Sequence, residues 1–165
     1  MKSYIVMAYK FMEYAVRYIE NFDDEDSIVE GMCEASKKFH IRAQYACGSA
    51  RHVIVTKKFV IKWDKNEQCV YQIGGCSDEL KMYDKARLDG YNHLLAKITP
   101  IYINKKYYYV MPTINNVGPQ YHKELISYYL SYTEYKWVKN NIDDLHNYNW
   151  GIENGKAVII DYAYH

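Results

Sequence analysis

Two hydrophobic periods divide the chain. Ile5, Tyr9, Met12, Ala15, Val16 and Ile19 recur at helical spacing and predict a helix over residues 4–20. The acidic run Asp23-Asp24-Glu25-Asp26-Ser27 reads as the start of a second helix, continued by Ile28, Met32, Ala35 and Phe39. From His40 the period changes to two. Strands are expected over 40–46, 51–56 and 59–63, with a turn at Gly48-Ser49 and a loop over 64–75. Ser77 is expected to cap a helix through Leu80, Tyr83, Ala86 and Leu88 that ends near Gly90. After a short apolar segment at Leu94, Leu95 and Ile98, residues 100–103 and 107–111 predict an antiparallel pair across Asn104-Lys105-Lys106, which Pro112 ends. A break at 115–119 precedes a long aromatic-rich helix from Leu125 to Val138. The chain closes on an Asn154-Gly155 hairpin.

The order is two helices, a sheet with one helix inserted after its third strand, a break, a helix, a polar loop and a hairpin. This is an α+β arrangement rather than alternating βαβ units, which argues against a doubly wound parallel sheet. At 165 residues one domain is expected. Its parts are a helical extension over 1–39, a sheet region over 40–114, and a final region over 115–165.

A formal net charge of +1 disfavours nucleic acid as a main partner. Cys33, Cys47, Cys69 and Cys76 have neither CxxC nor zinc spacing, and Cys69 and Cys76 are expected to be free buried thiols. No apolar run approaches a membrane span, and the first ten residues lack a signal-peptide pattern, so a cytoplasmic protein is expected. The 20 tyrosines, together with abundant Lys, Asn and Ile, are read as a compositional bias that fills core sites.

Most of the candidate chemistry is concentrated near the end. Asp144 can accept a hydroxyl proton, and Asn149 and Asp161 are oxygen ligands of the kind that Mg²⁺ on a nucleotide requires. Asp161 follows the apolar run 157–160. A carboxylate there is costly to bury unless it is paired or metal-bound. Asp143 is the alternative to Asp144, but only Asp144 has an Asn five positions on. His146 is expected to brace the loop.

With Gly48-Ser49-Ala50-Arg51, Val60-Ile61-Lys62, Glu79 to Tyr83, and Asp144 to Tyr162 in this order, residues 44–163 resemble the protein-kinase-like fold. The nearest likeness is to the short kinase-like proteins of bacteriophages and prophages. The D-L-H-x-x-N segment is also similar to that of aminoglycoside-type phosphotransferases. The resemblance implies a minimal kinase fold and an ATP/Mg²⁺-dependent transfer to a hydroxyl acceptor, with a host protein as partner. It implies that Lys62 pairs with the nucleotide phosphates, Glu79 (or the adjacent Asp78) holds that lysine, and Asp144 is the catalytic base. Asn149 and Asp161 bind the metal, Gly48 and Ser49 form the phosphate turn, and Val60 and Met111 wall the adenine. Pro112, Thr113 and Ile114 form the hinge.

Departures from the pattern are as specific. Ile142 stands where a histidine is usual, a single glycine replaces the Gly-rich loop, and Asp161-Tyr162-Ala163 lacks the glycine of D-F-G. Four residues follow Asp161, so the expected fold lacks an activation loop and a helical acceptor platform. The alternative expectation is a pseudokinase that binds nucleotide and modulates a host protein without transfer.

Overall fold

The computed structural model describes residues 3–48, 50–65, 75–117, 123–143, 145 and 148–162. They form an α+β protein of two compact units. One comprises Met1–Gln72 and Ile98–Thr113, and the other Ile73–Lys97 and Ile114–His165.

In the first unit, helices α1 (Ser3–Ala15) and α2 (Glu25–Phe39) precede strands β1 (Ala43–Cys47), β2 (Arg51–Thr56) and β3 (Phe59–Asp64). Strands β4 (Thr99–Ile103) and β5 (Lys106–Pro112) complete an antiparallel sheet of order β1-β2-β3-β5-β4. Alternation divides the sheet residues into two sets. Ile54, Phe59, Ile61, Trp63, Tyr108 and Val110 join Phe11, Met12, Ile28 and Met32 of the helices in one hydrophobic core. The opposite set is Val53, Val55, Val60, Lys62, Tyr109 and Met111, with Val60 opposite Met111 and Lys62 opposite both Val53 and Tyr109. The N-terminal helices therefore pack on the sheet face opposite Lys62.

Helix α1 ends at Ala15, not near residue 20. A Cβ on Gly31 of α2 would meet Ile19 Cγ1 at 2.5 Å and the Ala15 carbonyl at 2.7 Å. The two helices thus cross against the end of α1, and the chain turns there to permit it. The first strand starts at Ala43, not His40. His40 adopts a left-handed conformation (φ 53°) as the C-cap of α2, and both its N–H and that of Ile41 (3.1 Å) donate to the Ser36 carbonyl.

In the second unit, α3 (Cys76–Asp89) ends at Gly90 as expected, but its N-cap is Gly75, with no side-chain cap. Ser77 lies inside the first turn. The expected long helix is two elements, a 3₁₀ segment Lys123–Tyr128 and α4 (Tyr132–Asn141). Ser131 divides them: its hydroxyl accepts from Glu134 N–H at 3.4 Å, while the Glu134 carboxylate accepts from Ser131 N–H at 2.6 Å. This capping box starts a new helix. Trp137 of α4 stacks on Tyr91 and donates through Nε1 to Asp89 at 2.9 Å. Strands β6 (Trp150–Glu153) and β7 (Lys156–Ile159) form the terminal hairpin across Asn154-Gly155, both at positive φ. Cys76 is buried, as expected. Cys33 and Cys47 are exposed, and Cys69 lies outside the described residues. Among the described residues no helix is long and apolar enough to cross a membrane.

Candidate functional site

Five polar or charged side chains are buried among the described residues: His52, Thr56, Lys62, Glu79 and Asn149. Local structure accounts for two of them. The Thr56 hydroxyl is bonded within the β2–β3 turn, accepting from Phe59 N–H at 3.0 Å, and His52 Nδ1 meets the Tyr45 hydroxyl at 2.7 Å. The other three are positions that the motifs had singled out.

Lys62 is 7% exposed, in the middle of a sheet that is regular on both sides of it. Val60 and Met111, the expected adenine walls, are directly paired across β3 and β5 and share the Lys62 face. Thr113 ends this unit. Its hydroxyl donates to the Thr56 carbonyl at 2.8 Å and its N–H to the Lys58 carbonyl at 3.5 Å, so the expected hinge is anchored on the β2–β3 turn. The last of the three chain crossings between the units falls after Thr113. Gly48 N–H donates to the Arg51 carbonyl at 2.9 Å, and a Cβ on Gly48 would meet that oxygen at an ordinary 3.8 Å. Neither backbone conformation nor space demands glycine there. Ser49 lies outside the described residues.

The second unit brings together Asn149 and Asp161. The Asn149 carbonyl accepts from Ile160 N–H at 2.7 Å and from Asp161 N–H at 3.3 Å. This closes the base of the β6–β7 hairpin just beyond the Trp150–Ile159 pair. The hairpin is held by two further strips of chain. Ile159 bridges Leu95 and its carbonyl accepts from Ala96 N–H at 2.8 Å, while Gly151 bridges Asn116. Gly151 has a steric reason to be glycine, since a Cβ would collide with the Asn115 carbonyl and Ile114.

Tyr162, next to Asp161, is buried, and its hydroxyl donates to the Ala96 carbonyl at 2.6 Å. Burial pushes this phenol well above its ordinary range, and the nearby acidic side chains, Glu79 foremost, add to the shift. Glu79 of α3, fully buried, thus lies within electrostatic reach of the same corner. Asp78 is the partly exposed neighbour and pairs with Lys81 at 2.9 Å, which favours Glu79 as the inward-facing acid.

Asp144 and His146 lie outside the described residues. Among the described residues no group of three His, Cys, Asp or Glu side chains could hold a metal. The Asn149 amide and Asp161 carboxylate are hard oxygen donors suited to Mg²⁺, which completes its shell with waters and phosphate oxygens. Sequence reasoning missed Tyr162 as the anchor of this corner. Its position directly after Asp161 was the available signal. Comparison with protein-family models and with curated proteins returns no match.

Proposed function

We propose that the chain is a minimal kinase-like phosphotransferase that uses ATP and Mg²⁺ and transfers to a hydroxyl acceptor, with a host protein as the partner. The observation that carries the reading is the Asn149–Asp161 backbone link, which sets two oxygen-donor side chains at the base of one hairpin. The antiparallel sheet with a helix between its third and fourth strands supports the same reading, as does the burial of Lys62 and Glu79. Structural lysines and glutamates are seldom buried unless paired or functional.

In this reading Asn149 and Asp161 would hold Mg²⁺, which supplies charge neutralisation on the phosphates. Lys62 would meet the nucleotide phosphates. Val60 and Met111 would contact the base, and Asp144 would orient the acceptor hydroxyl. Catalysis then rests on positioning and electrostatics. The undemanding geometry at Gly48 favours the second reading, a nucleotide-binding pseudokinase module, because the turn shows no need for close backbone approach. Transfer of labelled γ-phosphate, assayed with Mg²⁺ in the presence and absence of host extract, separates the two. Label on an acceptor supports transfer; nucleotide binding without transfer supports the module.

A further inference from the structure

A cleft of about 340 Å³ opens within the first unit, between the start of α1, the end of α2 and the β2–β3 turn. Its floor is apolar: Met7, Phe39, Ile41 and Phe59. Its rim is basic: His40, Arg42, Lys57 and Lys58, all exposed. No aspartate or glutamate lines it. None of the four rim residues forms an ion pair with a described residue. Cationic side chains of a surface with near-zero net charge are commonly interspersed with acids; here Arg42, Lys57 and Lys58 stand over an apolar hollow with none.

The walls are fixed. His40 holds a left-handed backbone where glycine is the usual residue, pinned through the Ser36 carbonyl. On the other wall, the Thr56 hydroxyl accepts from both Lys58 N–H (3.2 Å) and Phe59 N–H (3.0 Å), and Thr113 ties the turn from outside. Beneath, Phe11 packs edge-on against Phe59 and tilted against Phe39. A rigid hollow of this kind loses little entropy when it binds.

We propose that this cleft binds a compact organic anion with an aromatic or branched apolar body, the body on Met7, Phe39 and Ile41 and the anionic group between Arg42, Lys57 and Lys58. The volume lies at the low end for small-molecule sites and suits one or two fused rings rather than a polypeptide segment. Arg42 supplies the planar fork that matches a carboxylate or phosphate, and the two lysines add point charges. The site does not depend on the phosphotransfer reading.

Amide NMR titration of the whole chain tests it with three probes: 2-naphthoate, the neutral 2-naphthylmethanol, and acetate. Naphthoate should give saturable shifts centred on residues 40–42 and 57–59. Naphthylmethanol should bind about tenfold or more weakly, because charge-assisted hydrogen bonds are lost. Acetate should give no saturation. Arg42→Gln, a substitution on an exposed side chain, should weaken naphthoate by about tenfold with the fold unchanged. Equal binding of the neutral probe, shifts centred elsewhere, or an unaltered Arg42→Gln titration would overturn the proposal. So would absence of saturation at millimolar naphthoate, or saturable shifts at the same residues only with an acidic peptide or anionic vesicles.

Discussion

The backbone carbonyl of Asn149 holds the N–H groups of both Ile160 and Asp161, at 2.7 and 3.3 Å. One loop residue thereby fixes where the strand that ends in Asp161 leaves the hairpin. The link uses main-chain atoms of Asp161 only, so its side chain can be changed without breaking it. Asp161→Asn should therefore fold normally and lose Mg²⁺-dependent nucleotide binding. Melting temperatures with ATP-Mg²⁺ and with ATP-EDTA check this. A variant with the wild-type Mg²⁺-dependent shift would contradict the metal assignment, and one that melts far lower without ligand would make Asp161 a structural partner.

Gly151→Ala should destabilise the second unit by about 1–3 kcal/mol, since the added methyl cannot share space with the Asn115 carbonyl. Urea denaturation measures it. A variant as stable as the parent would mean that the Asn116–Gly151 bridge is not formed in solution.

Two buried tyrosines should respond oppositely to loss of the hydroxyl. Tyr162→Phe removes the donor to Ala96 and should cost about 1–3 kcal/mol. The Tyr108 hydroxyl is buried and has no hydrogen-bond partner, so Tyr108→Phe should leave stability at neutral pH unchanged or raise it. Burial raises both phenols above their ordinary value. For a raised group the folded state retains its proton longer, so the stabilisation is complete below about pH 10 and is lost as pH rises toward the folded value. Urea midpoints from neutral pH to above pH 10 should fall in the parent, and less steeply in Tyr108→Phe. Parallel profiles would contradict the assignment.

Glu134 gives the acid counterpart. Hydrogen bonds from Ser131 and then His93, whose Nε2 lies 2.7 Å from Oε1, hold its carboxyl down to about 2. A depressed carboxyl contributes stability that is present above its ordinary pKa of 4.5 and is lost as pH falls toward 2. Glu134→Gln keeps a capping side chain but not the charge. Its melting temperature should lie below the parent's at neutral pH and converge with it near pH 2. A constant gap would mean that the charge plays no part.

Much of the fold could be read from local chemistry. Asn154-Gly155 placed the last hairpin because both residues tolerate positive φ, and Gly90 placed the end of α3. The strands 51–56 and 59–63 followed from alternation. Tertiary packing and less familiar caps decided the rest. The second hairpin turns on Asn104-Lys105 alone, with Lys105 at φ 64°, a conformation lysine does not advertise. Ser131-x-x-Glu134 carried its capping signal inside a continuous aromatic pattern, which masked it. The end of α1 was set by the close approach of Gly31 from a different helix. At the candidate site, Lys62, Glu79 and Asn149 are buried, which no local pattern around them announces. The basic cleft was not legible at all, because its rim comes from two segments fifteen residues apart that only folding brings together.

The most direct test of the account is nucleotide binding with its metal and lysine dependence measured together. ATP-Mg²⁺ at a hundredfold excess over its dissociation constant should stabilise the parent by about 2.7 kcal/mol. The effect should fall away in EDTA, in Asp161→Asn and in Lys62→Met. No stabilisation of the parent at millimolar ATP-Mg²⁺, or full stabilisation of both variants, would contradict it.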